Sequence, residues 1–296
     1  MKWTPFLTLV LLACHLTRAQ EAALVAKGAE LTLLADGFEF TEGPAVAQNG
    51  DVYFTDQPND RIVKWNAADN SVTDWMQPSG RSNGLYFGPD GALYACADEK
   101  NELWQIDANK KVTVLVSQFE GKKLGGPNDL WINGQGGIYF TDPFYKRSWW
   151  GHSTPEIKER RVYYLPAKGK TPIVVAKDFV NPNGIIGTAD GKTLYIADIG
   201  DKKTYVFKVE KDGQLTDRSL FCNMGSDGMT LDTEGNVYLT GDGVTVFSPQ
   251  GEKLHHIAVP EKWTANVTFG GPDRKTLFIT AMDSVYTLEM AVAGAH

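Results

Sequence analysis

Six oxygen-bearing side chains recur along this chain, each just ahead of a strand pattern: Glu42, Asn83, Asn128, Asn183, Asp227 and Asn266. They stand in the segments TEGPAV, SNGLYF, PNDLWI, PNGIIG, SDGMTL and ANVTFG. Two are carboxylates and four are amides. A set of that kind suits a hard divalent cation such as Ca²⁺, whose shell takes carboxylate, amide and water oxygens. It does not suit a structural zinc site, because no His or Cys shares the register. Two carboxylates held together without a partner repel, and a cation relieves that repulsion. Each motif alone is weak, since Asn before Gly is ordinary turn chemistry. The argument rests on their common register.

That register requires a fold that turns equivalent positions toward one point. The motifs are spaced by roughly forty to fifty-five residues, the period of repeat and propeller architectures. After each motif comes a tight turn (QNGD, GPDG, NGQGG, TADGK, DTEGN, GPDRK) and then a β-branched and aromatic run (VYFTD, LYACAD, IYFTD, LYIAD, VYLTGD, LFITAMD). Asn-Gly and Asp-Gly between apolar runs are strong hairpin signals. A third strand follows in most copies (RIVKWN, ELWQID, RVYYLP, TYVFKV), and an outer one is visible in SVTDWMQ, KVTVLVSQF, TPIVVAKDF, QLTDRSLF and EKLHHIAV. The pattern predicts an all-β, six-bladed β-propeller with four antiparallel strands per blade. The sixth copy lacks its outer strand. The segment Glu30 to Phe38, ELTLLADGF, has that pattern and is expected to pair with the strand ending near Met290, closing the ring. An open ring would leave unpaired strand edges.

One stretch breaks the period. Pro143 to Arg160, PFYKRSWWGHSTPEIKER, is an aromatic-rich insertion after the second strand of the third blade. It should leave from the face that carries the polar motifs, as a lid or substrate wall. Phe144, Tyr145, Trp149 and Trp150 are its aromatic members.

Bulk properties exclude some functions. The chain has 296 residues and a formal net charge of −7, which argues against nucleic-acid binding. The apolar run from Trp3 to Ala13 is too short to span a bilayer and reads as part of a signal peptide, 1–19, cut after Ala19. Residues 20–296 are then a single propeller domain, and the protein is secreted or periplasmic. Leu11-Leu12-Ala13-Cys14 offers the alternative of a lipoprotein anchor at Cys14. Cys96 and Cys222 fall in strands of different repeats and are expected as buried free thiols. There is no Gly-x-Ser-x-Gly elbow and no phosphate loop. His255 and His256 are adjacent, so in a strand they face opposite ways.

Four landmarks together resemble the gluconolactonase, senescence-marker-protein and luciferin-regenerating-enzyme family of six-bladed propellers. They are Thr41-Glu42-Gly43-Pro44, Pro127-Asn128-Asp129, Asn181-Pro182-Asn183-Gly184 and Ser226-Asp227-Gly228-Met229. The resemblance implies a metal-dependent lactone hydrolase. Glu42, Asn183 and Asp227 would hold Ca²⁺, or another divalent cation such as Zn²⁺, Mn²⁺ or Mg²⁺, and Asn128 would ligate it or face the substrate. Some animal members carry an Arg two residues before the Asn128 equivalent; Gly126 stands there in this chain. The reaction would be water attack on a polarised lactone carbonyl, with Asp227 as the general base and Asp142 or Asp198 as alternatives. Asn83, Asn128, Asp142, Tyr145 and Trp149 are the expected substrate contacts. Strand-end hydrogen bonding is the plainer role for Asp142 and Asp198. The competing functions are a phosphotriester or fluorophosphate hydrolase on the same site and a non-catalytic calcium-binding scaffold.

Overall fold

The computed structural model describes residues 24–296. The expected signal segment and Cys14 lie outside the described residues. Every element among the described residues is a strand, numbered β1 to β26 in chain order.

Twenty-four of the strands form six four-stranded antiparallel sheets. In chain order, five of these run β2 to β5, β6 to β9, β12 to β15, β16 to β19 and β20 to β23. The innermost strand comes first and the outermost last. The sixth has the order β1-β26-β25-β24. Here β1, Thr32–Asp36, lies antiparallel to β26, Ser284–Glu289, with Leu33 opposite Tyr286 and Asp36 opposite Ser284. The ring is therefore closed by the N-terminal strand, as the sequence pattern requires. Val25 adds a bridge to Met290.

The strand grammar follows from which faces are covered. Blades pack face to face around the ring, so a middle strand is buried on both sides. β13, Ile138–Asp142, is buried at every residue, and β3, Val52–Asp56, at all but one. Their sequences IYFTD and VYFTD are accordingly apolar on both faces rather than alternating. Phe54, Tyr139, Phe140 and Phe278 are fully buried, each contributing roughly 1.5–3 kcal/mol of transfer free energy. Outer strands face solvent; β19, Leu215–Cys222, is exposed over most of its length and carries the charges Asp217 and Arg218. Cys96 and Cys222 are free and buried.

Two features depart from the simple repeat. A short hairpin, β10 (Gln118–Phe119) and β11 (Lys122–Lys123), follows the second blade. Its Lys123 amide donates to Glu156 of the insertion at 2.8 Å. The insertion itself joins β13 to β14, Arg160–Leu165. It is anchored at both halves: Ile157 is buried in the third blade's core, and Trp150 is buried with its Nε1 donating to the Asp98 carbonyl at 2.7 Å.

Candidate functional site

The six polar residues sit at equivalent places. Glu42, Asn83 and Asn183 are the second residues of β2 (Thr41–Val46), β6 (Ser82–Phe87) and β16 (Pro182–Gly187). Asn266 is third in β24, Thr264–Gly270. Asn128 and Asp227 stand two residues ahead of β12 (Leu130–Ile132) and β20 (Met229–Leu231). The pairing register shifts at this place in four innermost strands, between Glu42 and Ala45, Ser82 and Leu85, Pro182 and Ile185, and Thr264 and Asn266. Bulges re-aim side chains, and here they do so where each strand enters the axis.

Neighbouring blades are stitched together at this level. The threonine near the end of alternate second strands donates its hydroxyl across to the next blade's innermost strand. Thr55 reaches Asn83 O at 3.1 Å, Thr141 reaches Asn183 O at 2.8 Å, and Thr240 reaches Ala265 O at 2.8 Å. The glycine after the polar residue lets the next strand come close. A Cβ on Gly43 would collide with the Asn83 carbonyl, and one on Gly228 with the Asn266 amide. The Asn-Gly and Glu-Gly pairs of these motifs are thus contacts between blades rather than turns.

The geometry brings Glu42, Asn183, Asp227 and Asn266 together as two hydrogen-bonded pairs coupled by the charges of Glu42 and Asp227. Asn183 Nδ2 donates to Asp227 Oδ1 at 2.6 Å and to the Tyr145 hydroxyl at 2.9 Å. Trp263 Nε1 donates to the other Asp227 oxygen at 2.6 Å. Glu42 Oε2 accepts from the Gly43 amide at 2.8 Å and from Asn266 Nδ2 at 3.3 Å. Asn83 and Asn128 are buried at the same level, and their carbonyls accept from Thr55 and from the Gly84 amide at 2.8 Å. Tyr145 brings the insertion onto this face. Asp142 and Asp198 are committed elsewhere. Asp142 accepts the Gly125 and Gly126 amides at 3.0 and 2.8 Å, and Asp198 the Val180 and Asn181 amides at 2.7 and 2.8 Å.

Burial and mutual repulsion set the electrostatics. Glu42 is held well above the ordinary carboxyl range, first by burial and then by the negative charges of Asp227 and Asp129. Asp227 is pushed up to about 6 by burial, against the hydrogen bonds from Trp263 and Asn183 and the positive charge of Arg147. Asp129 is pushed up to about 7, again by burial, although it accepts the Leu130 amide at 2.9 Å.

Several participants were not picked out from the sequence. Asp129 follows Asn128 directly and would have been found by asking which neighbours share the axis. Asp98 ends the repeated run LYACAD, in register with Asp142 and Asp198, and could have been found from that repeat, whereas Trp263, Arg147 and Arg81 lie in segments with no repeat register. Among the innermost strands lies a cavity of about 280 Å³, lined by Leu85, Trp131, Ile185 and Met229 and reached by Asp129 and Asn266. His296 lines it as well, its Nε2 2.8 Å from the Gly187 carbonyl.

Among the described residues no three His, Cys, Asp or Glu side chains gather as a metal centre. The donor set on the axis is of another kind, two carboxylates with amides. It fits a hard cation on one specific observation. Asn183 Oδ1 is buried and has no hydrogen-bond partner, beside Glu42 and Asp227, whose ionised forms are disfavoured by burial and, for Glu42, by repulsion from Asp227. A buried acceptor without a partner is costly, and a cation would satisfy it.

Fold and site together define a six-bladed propeller with a buried carboxylate–amide cluster on its axis. The chain belongs to the family described as SMP-30/Gluconolactonase/LRE-like region, whose profile matches residues 40–283. It is 28% identical to a gluconolactonase of Zymomonas mobilis subsp. mobilis, covering 89% of this chain and 82% of the relative. It superposes with a TM-score of 0.84 on a gluconolactonase of Xanthomonas campestris, at 30% identity and covering 91% of each chain. The calcium-binding protein regucalcin of Agrobacterium tumefaciens shares the fold at 20% identity, with a TM-score of 0.74, over 91% of this chain and 95% of that one.

Proposed function

We propose that the protein is a lactonase that opens a lactone ring on the axial face. The observation that carries this is the convergence of Glu42, Asn183 and Asp227, with Asn183 Oδ1 left without a partner, in a chain of this family. Glu42, Asn183 and Asp227, with Asn128, would hold a divalent cation, Ca²⁺ by the donor set. When bound, such an ion polarises the lactone carbonyl and stabilises the oxyanion that forms there.

The protein's own groups do the rest. Asp227 is the base: it takes a proton from the attacking water as the new carbon–oxygen bond forms. It returns that proton to the ring oxygen as the ring bond breaks, leaving a hydroxy acid. Burial raises Asp227 in the cation-free site, and a bound cation would keep it ionised and so able to accept a proton. Trp263 and Asn183 fix its two oxygens. Tyr145 and Trp149 wall the site and exclude water. The Gly125 and Gly126 amides hold Asp142 in place at the loop entry. We also propose that the protein is exported by cleavage after Ala19; Edman sequencing of the protein recovered from culture should begin at Gln20.

The test is the hydrolysis of D-glucono-1,5-lactone followed by acid release. The wild-type protein should turn it over, and Asp227→Asn should lower kcat by about 10²–10⁴-fold, the range for losing a general base. Wild-type protein loaded with divalent cation yet inert toward aldonolactones would overturn the proposal.

A further inference from the structure

Two arginines that the reaction above does not use stack on the aromatic rings of the insertion. The Arg81 guanidinium carbon lies 4.7 Å from the centre of the Trp149 ring, and that of Arg147 lies 5.6 Å from the same ring. Arg147 also covers Tyr145 at 5.5 Å, and the Tyr145 hydroxyl meets Asn183 on the axis. A row of contacts therefore links Arg81 to the axis: Asn183, Tyr145, Arg147, Trp149, Arg81.

The two guanidiniums differ in what balances them. Arg147 Nε donates to Asp98 at 2.9 Å, and Gln57 shares that carboxylate. Among the described residues no carboxylate pairs with the Arg81 guanidinium, whose one hydrogen bond goes to the Pro58 carbonyl. The nearby acid, Asp60, makes no ion pair with it: one of its oxygens accepts the Ser79 hydroxyl at 3.2 Å and the Ser79 and Arg81 amides at 2.9 and 2.7 Å. That bond helps hold Arg81 at φ +48°, a left-handed conformation uncommon for a long side chain. Trp149 adds a third feature: its Nε1 is buried and has no acceptor. At Arg81 and Trp149 the groups left unsatisfied are donors, and the Arg81 guanidinium has no ion-pair partner among the described residues. A neutral polyol offers donors and acceptors alike, whereas this place lacks only acceptors.

We propose that Arg81 and Trp149 form an anion subsite, and that the substrate is a lactone bearing an anionic group distant from its reacting carbonyl. The group would be a carboxylate, a phosphate ester or a sulfonate. Arg81 is then a specificity residue, with Arg147 positioning Trp149 against it. The proposal rests on the lactonase reading for its reaction, but not for its binding, so the two can fail separately.

Two measurements test it. Calorimetric titration with D-glucuronate and D-glucose compares an anionic and a neutral pyranose, neither of which is a lactone. Glucuronate should bind about tenfold to a hundredfold more tightly, the range for hydrogen bonds to a charged group, and added salt should narrow the gap. Arg81→Gln should erase the difference, Arg81→Lys should keep part of it, and Trp149→Phe should reduce it while retaining the aromatic face. In parallel, kcat/KM is measured for D-glucono-1,5-lactone and for its counterparts carrying a carboxylate, a phosphate ester or a sulfonate at carbon 6. The anionic members should be preferred through KM, and their ranking distinguishes the three groups. Equal binding of glucuronate and glucose, or a preference that survives both Arg81→Gln and Trp149→Phe, overturns the subsite. Failure to hydrolyse any of the lactones, with glucuronate still bound through Arg81, overturns the lactonase reading and leaves the subsite standing.

Discussion

At the scale of single residues the site is a balance of buried negative charge. Glu42, Asp129 and Asp227 all sit above the ordinary carboxyl range because burial disfavours their ionised forms. A carboxyl whose folded-state value is raised binds protons more tightly in the native protein. Its stabilising contribution is therefore present below the unfolded value and is lost as pH rises through the folded one. For Asp227 that window runs from about 4 to about 6, and for Asp129 it reaches about 7. Cation-free protein should accordingly melt at a higher temperature at pH 5 than at pH 8, and Glu42→Gln should flatten that slope. Calorimetry with and without Ca²⁺ checks both, since a bound cation would remove the fall toward pH 8. A melting temperature that rises with pH in the chelated protein would contradict the burial argument. The sequence disclosed Glu42 and Asp227 because they share a register. It did not disclose Trp263, because a hydrogen bond from an inter-blade loop has no period.

At the scale of elements, the innermost strands are aimed by their bulges and held by hydroxyls from the blade before. Thr55→Val, Thr141→Val and Thr240→Val each remove one such bond and leave a buried carbonyl without its partner. Each should cost about 1–3 kcal/mol in chemical denaturation. Thr141→Val should also lower activity, because its partner is the carbonyl of Asn183. The repeated Thr near the end of the second strand was visible in VYFTD and IYFTD, but its partner lies in another blade and only the fold reveals it. The insertion was legible as a break in the period and as aromatic content. Its internal division of labour was not. Trp150 and Ile157 anchor it, Tyr145 reaches Asn183 on the axis, and Trp149 stacks with Arg81 and Arg147. Replacing Ser148 and Trp149 with glycine and serine, which keeps Arg147 on Asp98, should change the ranking of lactones while leaving melting within a few degrees. Unfolding after that change would assign the segment to the core.

At the scale of the whole molecule, closure by β1 joins the two ends of the described chain into one sheet. Deleting residues 24–36 should expose the edge of β26 and produce aggregation, measured by light scattering at the temperature where the full protein is monodisperse. This part of the architecture was readable because a propeller blade missing one strand must recruit it, and ELTLLADGF was the matching pattern. The cavity with His296 was not readable, because the innermost strands come together only once the ring has closed. The central claim is that the axial carboxylates and amides serve lactone hydrolysis with a divalent cation. It is tested most directly by one titration: acid release from D-glucono-1,5-lactone by exhaustively chelated protein as Ca²⁺ is added back, beside an organophosphate triester as control. The account predicts negligible turnover in chelator, saturable recovery on the lactone with Ca²⁺, and little recovery on the triester. Full lactone turnover in chelator, or recovery confined to the triester, would contradict it.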